Sequence, residues 1–248
     1  MITIKNIYKS FNGHAVLKGI DLEIKEGEMF ALIGRSGLGK SVLLKHIVGL
    51  IKPDAGEILV DGLNMHTLRG RQLENARKKF GYLFQEGALF DSLTVYDNVA
   101  FPLREKTKLK EAAVKEKVFF ELEHMGLKND AHKYPAELSG GMRKRAALAR
   151  AIIMQPSIML FDEPTTGLDP IIGQSIQNYI QSCHTRLGFT GIIVTHDVPR
   201  VFSIVQKIAM LYDGKIILNG ALEEIQKQNN PVFNQFLSGS LDGPLKYS

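Results

Sequence analysis

The first 33 residues alternate short apolar runs with glycine-containing turns, a pattern that is typical of β-strands. The turn signals are Asn12-Gly13 and Glu26-Gly27-Glu28. This order predicts an antiparallel sheet that leads into a glycine-rich loop, which differs from a simple doubly wound domain. The predicted strands cover residues 2–4, 16–17, 21–24 and 29–33.

Beyond residue 41 helical and extended patterns alternate, which predicts an α/β fold. Charged and apolar residues at helical spacing predict helices over 42–48, 68–79, 94–103, 110–125 and 142–154. Apolar runs predict strands over 57–60, 80–85, 158–161 and 191–195, and a hairpin over 208–218 around Asp213-Gly214. The helices between about 86 and 150 are expected to form a lobe inserted between two core strands.

Composition excludes several classes of protein. The 248 residues have a net charge of +5 and a single cysteine, Cys183, so an internal disulfide framework is impossible. No apolar run reaches the ~20 residues that span a bilayer, and the N-terminus has no signal-peptide pattern. The basic charge favours acidic partners. However, its densest patch is only Arg143-Lys144-Arg145 and tryptophan is absent, so we expect no nucleic-acid partner.

Residues 34–41 match every fixed position of the phosphate-binding pattern G-x-x-x-x-G-K-[ST], between a predicted strand and a predicted helix. Glycines let backbone N–H groups surround phosphate oxygens, and the helix N-terminus adds a favourable dipole. Lys40 is expected to reach the β- and γ-phosphates, and the Ser41 hydroxyl to ligate Mg²⁺. An ordinary glycine turn is the alternative. The predicted nucleotide-binding residues are Gly34, Arg35, Ser36, Gly37, Leu38, Gly39, Lys40 and Ser41.

Three further polar residues follow apolar strands. Asp162 and Glu163 end the run 158–161, and alternation is expected to send their side chains in different directions. Asp162 would hold Mg²⁺, and Glu163 would orient or deprotonate the attacking water. His196 follows the run 191–195, where it can donate to a γ-phosphate oxygen, and Asp197 is expected to cap the next helix.

Leu138-Ser139-Gly140-Gly141-Met142 opens a predicted helix and forms a second candidate anion site. One nucleotide does not require two phosphate-binding helix ends. This surplus indicates that Ser139, Gly140 and Gly141 serve the nucleotide of another subunit. An ordinary Ser/Gly helix cap is the alternative.

These motifs, in this order, resemble those of the nucleotide-binding subunits of ATP-binding cassette (ABC) transporters over residues 1–225. The matching segments are the Walker A loop 34–41, Gln85 of the Q-loop, the signature 138–142, Walker B 158–163, the D-loop 167–169 and the switch histidine His196. The departures are Leu38, Val42 and Met142, and none of them removes a catalytic group.

The resemblance implies an α/β P-loop NTPase with a RecA-like core, an antiparallel β subdomain and an inserted helical lobe. It implies hydrolysis of ATP with Mg²⁺, with Glu163, His196 and Gln85 as catalytic residues. Phe11 would stack on adenine, and the metal would lie among Ser41, Gln85 and Asp162. Val16 and Asp169 complete the expected nucleotide contacts.

The implied assembly is a head-to-tail homodimer with two ATP molecules, docked near Gln85 on a separate membrane permease at the cytoplasmic face of the inner membrane. A narrower resemblance, to the ATPases of Mce-type lipid transporters, rests on residues 39–45, 145–150 and 235–244. It implies phospholipid transport with a lipid-handling subunit and a small accessory subunit. An amino-acid or metal importer is the main alternative. A soluble cassette ATPase usually has two cassettes or long insertions, and a binding-only cassette normally lacks Glu163 or His196.

The tail, residues 226–248, lies beyond the resemblance to the ATPase core. Its apolar residues at helical spacing predict a helix that Gly239, Gly243 and Pro244 end. We expect it to contact the partner ATPase or an accessory subunit, and a frayed terminus is the alternative. The apolar residues are Val232, Phe233, Phe236, Leu237 and Leu241.

Overall fold

The computed structural model describes residues 1–245, so the last three residues of the predicted tail lie outside the described residues. The strands are β1 Ile2–Phe11, β2 His14–Ile24, β3 Met29–Ile33, β4 Ala55–Val60, β5 Leu63–Asn64, β6 Phe80–Leu83, β7 Ile158–Asp162, β8 Thr190–Thr195, β9 Lys207–Tyr212 and β10 Lys215–Ala221. The helices are α1 Lys40–Ile47, α2 Gly70–Arg77, α3 Val95–Lys106, α4 Glu111–His124, α5 Gly140–Ile152, α6 Pro170–Leu187, α7 Val198–Val201, α8 Leu222–Lys227 and α9 Pro231–Ser238.

The chain forms two compact units. Of the described residues, the first unit contains 1–77 and 192–245, and the second contains 78–191. These boundaries differ from those of the expected helical lobe at 86–150, whose extent stays a prediction.

The first unit contains the predicted antiparallel sheet, in the order β2-β1-β4-β5. The prediction of separate short strands in this region is wrong, because β1 and β2 each run for ten residues or more. Exposed polar residues interrupt the apolar pattern, but backbone pairing continues through them. Asn6, with a left-handed φ of 50°, occupies the register shift between Ile4 and Ile7.

The phosphate-binding loop follows β3, which is buried along its whole length. β3 pairs in parallel with β9 and also neighbours β8. β9 and β10 form the predicted hairpin, and both residues of its turn, Asp213 and Gly214, have left-handed backbone conformations. Because the loop directly follows β3, it lies at the carboxyl ends of these parallel strands.

The second unit combines the parallel pair β6–β7 with the helices α3 to α6. The three helices predicted over 94–154 are confirmed with small shifts at their ends. An ion pair joins α6 to α4: Arg186 donates two hydrogen bonds, of 2.9 and 2.6 Å, to the buried carboxylate of Glu121. A bidentate pair of this kind fixes the relative position of the two helices.

The described part of the tail contains the predicted helix, α9. The Asn230 side chain caps it, and Gly239 ends it with a φ of 65°. Phe233 is buried as the apolar pattern predicts, whereas Leu241 is 82% exposed. The pattern did not predict the burial of Gln235, which accepts from the Leu245 N–H and donates to the Leu245 carbonyl, so that the chain turns back on α9.

Candidate functional site

The shape of the phosphate-binding loop depends on two glycines. Gly34 has a φ of 148°, and a Cβ there would lie 2.4 Å from the Leu211 carbonyl oxygen. Gly39 has a φ of 97°, and a Cβ there would lie 2.6 Å from Cγ1 of Val16. A side chain at either position would therefore displace β2 or β9, so the loop can approach these strands only with glycine.

The loop places a buried cation next to a helix N-terminus. Lys40 is 4% exposed, and its Nζ donates to the carbonyl oxygens of Gly34 (2.8 Å) and Arg35 (2.9 Å). The N-cap residue of α1 is Gly39, which has no side chain to satisfy the first N–H groups of the helix. The Lys40 ammonium and the N-terminus of α1 together form a favourable binding site for phosphate oxygens. Ser41 lies in the first turn of α1, and Ser36, Gly37 and Leu38 lie in the loop itself.

Two expected nucleotide contacts lie on β1 and β2. The structure brings Val16 against the loop, as its proximity to Gly39 indicates. Phe11 lies at the end of β1, where it pairs with His14, and its ring is 41% exposed. The Lys9 ammonium lies 5.3 Å from the centroid of the Phe11 ring. An exposed ring with a nearby cation suits a base and its phosphates.

His196 directly follows β8 and is exposed. The expected cap at Asp197 is wrong. Although Asp197 holds the N-cap position of α7, its side chain makes no capping hydrogen bond and instead accepts from the Arg200 guanidinium. The charged neighbour three residues further along outcompetes the N–H groups of a helix of only four residues.

In the second unit, β7 presents two buried carboxylates. Asp162 is 5% exposed and Glu163 is 6% exposed. Strand alternation does not set the direction of the Glu163 side chain, because β7 ends at Asp162 and Glu163 has a left-handed φ of 50°. Such a backbone is strained for glutamate, and strain of this kind is common at catalytic positions. The Thr166 hydroxyl donates to Glu163 Oε2 at 3.1 Å, which holds the carboxylate in place. That the two carboxylates point in different directions stays a prediction.

Tyr82 is a residue that the sequence analysis missed. It lies opposite Leu160 in the β6–β7 pair, and its hydroxyl donates to Asp162 Oδ2 at 3.1 Å. Burial and the charge of Asp162 both raise the pKa of Tyr82, so the hydroxyl remains a donor at neutral pH. The sequence indicated this role only through the hydroxyl of Tyr82, which lies at a half-buried position in the alternating pattern of β6.

Lys144 is the second missed residue. It is 7% exposed, and its Nζ donates to the backbone carbonyl of Gln85, which lies two residues beyond β6. Burial lowers the pKa of Lys144, while the charges of nearby carboxylates, Glu86 first, oppose this shift. In the sequence, Lys144 belonged to the densest basic patch. The flanking Arg143 and Arg145 also donate to backbone carbonyls within the unit.

The signature segment packs on the D-loop and on α6, and a Cβ on Gly140 would lie 3.2 Å from Cδ2 of Leu168 in the D-loop. Ser139 is the N-cap residue of α5, and its side chain accepts from the Met142 N–H at 3.2 Å. A Cβ on Gly141 would lie 2.6 Å from Ile172, so this glycine allows close contact with α6. Asp169 caps α6 through the N–H groups of Ile171 and Ile172, both at 3.0 Å.

Each unit therefore assembles part of the predicted site. The first unit brings Val16 to the loop 34–41. The second unit places Tyr82 on Asp162, joins Lys144 to Gln85, and packs the signature segment on the D-loop. The roles of these residues toward a nucleotide stay predictions.

Comparison with known proteins decides the family. The family described as ABC transporter matches residues 17–166, which include the phosphate-binding loop, Gln85, Ser139 and both buried carboxylates. The chain belongs to the ABC transporter family.

Its relatives extend over the whole chain. The chain is 42% identical over 247 residues to the intermembrane phospholipid transport system ATP-binding protein MlaF of Haemophilus influenzae, covering 100% of this chain and 94% of that protein. It is 41% identical, again over 247 residues, to the probable ribonucleotide transport ATP-binding protein mkl of Mycobacterium leprae, covering 100% of this chain and 71% of that protein.

A solved structure with a TM-score of 0.82 and 33% identity covers 90% of this chain and 99% of its own, and it is a dimeric ATP-binding cassette in a post-hydrolysis state bound to ADP and Pi. The α/β P-loop fold is thereby confirmed, and the chain is an ATP-hydrolysing ABC subunit. Within residues 1–245, no helix has the length and apolar character needed to cross a membrane.

Proposed function

We propose that this ABC subunit hydrolyses ATP to move phospholipid through a separate membrane-embedded permease. The observation that carries the proposal is the 42% identity, over the whole chain, to an ATP-binding protein of an intermembrane phospholipid transport system. The similarly identical relative named for ribonucleotide transport makes a ribonucleotide the second candidate substrate.

The experiment that separates the two substrates uses the intact transporter. The chain is purified from membranes with its permease, and bound molecules are identified by mass spectrometry. The complex is then reconstituted in vesicles with a fluorescent phospholipid or a labelled ribonucleotide. Phospholipid movement that requires ATP supports the proposal, whereas ATP-dependent ribonucleotide movement without lipid movement overturns it.

The site residues suit Mg²⁺ with ATP. Ser41 offers a hydroxyl oxygen, and Asp162 offers a carboxylate whose Oδ2 the Tyr82 hydroxyl already holds. Within residues 1–245, no group of three or more His, Cys, Asp or Glu side chains suits a metal ion. This absence fits Mg²⁺, which proteins usually bind with one or two carboxylates plus substrate phosphates and water. Gln85 is the further proposed ligand. When bound, the ion neutralises charge on the β- and γ-phosphates.

Each remaining residue has a distinct proposed role in hydrolysis. Lys40 donates to β- and γ-phosphate oxygens in place of the loop carbonyls that it now contacts. Glu163, held by Thr166, orients the attacking water and accepts its proton. His196 donates to a γ-phosphate oxygen. The backbone N–H groups of the loop bind the other phosphate oxygens.

We propose a homodimer in which each nucleotide also contacts the signature segment of the other chain. Ser139 is exposed at the N-terminus of a 13-residue helix, where an anion is favourable. The similar cassette bound to ADP and Pi is itself dimeric. Ser139, Gly140, Gly141 and Asp169 would thus act on the nucleotide of the partner.

The permease would dock in a groove of about 380 Å³ in the second unit. Its apolar wall includes Phe84, Phe90 and Phe101, which are 36–44% exposed. The cations Lys78, Lys106 and Arg150 also line it. This combination suits an amphipathic helix with an acidic residue. Such docking would make the chain a peripheral subunit on the cytoplasmic face of the inner membrane.

The proposed docking of the permease can be tested by introducing a charged side chain into the groove. Phe101→Glu places a carboxylate on an apolar wall, so we expect much less permease to co-purify with the chain. Leu109→Glu is the matched control, because Leu109 is 41% exposed and does not line the groove. Equal recovery of the permease with both variants would refute docking at this groove.

A further inference from the structure

Tyr82, in the second unit, contacts both the groove and the buried carboxylate of Asp162. The ring of Tyr82 lines the groove, and its hydroxyl donates to Asp162 Oδ2 at 3.1 Å. The alternation of β6 explains this position, because Phe80 and Tyr82 lie on one half-buried face while Gly81 and Leu83 are buried on the other.

The strand register explains how Tyr82 reaches the carboxylate. Tyr82 lies opposite Leu160 in the parallel pair β6–β7, and Asp162 lies two residues further along β7, on the same face as Leu160. A tyrosine side chain is long enough to cross this diagonal. The Asp162 carboxylate is 5% exposed, so a donor from the protein replaces water that it has lost.

A second contact ties the ring of Tyr82 to the surface of the groove. Tyr82 and Phe84 are stacked, with ring centroids 4.1 Å apart and an angle of 24° between the planes. Phe84 also lines the groove and is 36% exposed, so a molecule in the groove would touch a ring that contacts Tyr82. Stacked aromatic rings attract each other beyond the area that they bury, so a molecule that displaces the Phe84 ring would also act on Tyr82.

We propose that Tyr82 is a positioning residue that orients Asp162 for its metal ion and makes this orientation depend on what fills the groove. The hydroxyl holds one carboxylate oxygen and so fixes the orientation in which the Asp162 carboxylate would face the metal. Loss of such outer hydrogen bonds typically weakens metal binding 10–100-fold. The dependence on the groove rests on the proposed docking of the permease.

The first measurement uses the isolated full-length chain and no catalytic readout. The affinity for a fluorescent ATP analogue is measured in EDTA and in Mg²⁺, and the gain from Mg²⁺ is their ratio. In Tyr82→Phe the ring remains, so we expect unchanged affinity in EDTA and a gain that is about tenfold smaller. An unchanged gain in Tyr82→Phe would overturn the proposal.

Tyr96→Phe is the matched control. Tyr96 lies in the same unit and donates to the Glu111 carboxylate at the same 3.1 Å, but it does not line the groove. We expect the wild-type gain in this variant. A loss of gain in Tyr96→Phe equal to that in Tyr82→Phe would mean a general effect of losing a tyrosine hydroxyl, and would also overturn the proposal.

The second measurement tests the dependence on the groove. The gain from Mg²⁺ is compared between the isolated chain and its complex with the permease. We expect complex formation to change the gain in the wild type and to leave it unchanged in Tyr82→Phe. No change in the wild type, or an equal change in both proteins, would contradict the dependence on the groove. Failure of the docking itself would appear separately, as unaltered permease recovery with Phe101→Glu.

Discussion

At the scale of single residues, Glu163 combines burial, a left-handed backbone and a side-chain hydrogen bond from the Thr166 hydroxyl. Glu163→Gln keeps the shape and this hydrogen bond but removes the basicity. We therefore expect ATP binding to persist and turnover to fall by about two orders of magnitude or more. Steady-state ATPase rates and nucleotide titrations measure the two effects. Wild-type turnover in this variant would remove Glu163 from the catalytic role.

A histidine pair in the first unit makes stability depend on pH. His46 and His66 have ring centroids 6.2 Å apart, and among the described residues neither Nε2 has a hydrogen-bond partner. Burial lowers the pKa of His46 and lowers that of His66 to about 4, and the nearby charges of His46, Lys52 and Arg69 add to the shift in His66.

The sign of the effect follows from this shift. The unfolded chain, with a histidine pKa near 6.5, binds more protons than the folded chain, so stability falls as the pH falls from about 6.5 to about 4. His66→Gln removes one titrating group, and we expect it to lose about 1–2 kcal/mol less stability over this range. Urea unfolding at several pH values measures it, with exposed His132→Gln as the control. Equal pH dependence in His66→Gln and wild type would exclude this role.

The candidate residues that the sequence alone could propose are those whose defining neighbours are local along the chain. Lys40 and Ser41 follow a glycine-rich loop, and the carboxylates end a buried strand. Tyr82 and Lys144 were missed because their partners are 80 and 59 residues away along the chain. Only the register of β6 on β7 and the placement of α5 bring these groups together.

At the scale of elements, close packing between the phosphate-binding loop and β9 gives a sharp test. In Gly34→Ala the new Cβ would overlap the Leu211 carbonyl, 2.4 Å away, in a backbone conformation that alanine rarely adopts. We expect a stability loss of at least about 2 kcal/mol. Gly37→Ala shares the positive φ but has no atom within 4 Å, so it should lose only about 1 kcal/mol. Equal losses in urea unfolding would show that the contact with Leu211 is unimportant.

The elements themselves were predicted best where the apolar pattern was continuous. The buried strands β3 and β7 and the hairpin β9–β10 match their predictions closely. β1 and β2 were broken into pieces because exposed polar residues interrupt a pattern that backbone pairing does not need. Gln235 shows a different error, because the apolar pattern does not predict that a polar residue is buried. Its side chain can be buried in the tail because it forms hydrogen bonds with the backbone of Leu245.

At the scale of the whole molecule, we propose that the tail contributes to assembly with a second copy or an accessory subunit. Leu241 is 82% exposed, and burying such a side chain contributes about 1–2 kcal/mol. Leu241→Glu should therefore weaken assembly of the transporter, measured by sedimentation, without changing ATP affinity of the isolated chain. Leu50→Glu is the control, with a 53% exposed leucine in the same unit. Identical sedimentation of both variants and wild type would exclude Leu241 from the interface.

The order of motifs along one chain was enough to predict the fold class and the family. The order cannot determine the transported molecule, because the ATPase motifs contact nucleotide rather than cargo. Assembly is predictable only in part. The second candidate anion site, at Ser139, points to a partner chain, but the geometry of the assembly depends on that second chain.

The head-to-tail dimer with shared nucleotide is the central claim, and sedimentation with Mg²⁺-ATP tests it most directly. Glu163→Gln should form a stable dimer because bound ATP is not hydrolysed. Adding Ser139→Arg places a bulky side chain where the partner's nucleotide would lie, so the double variant should stay monomeric with unchanged ATP affinity. Adding Thr94→Arg removes an equivalent helix cap in the same unit and should leave the dimer intact. A dimer that survives Ser139→Arg, or ATP affinity of the monomer that is lost with it, would contradict the account.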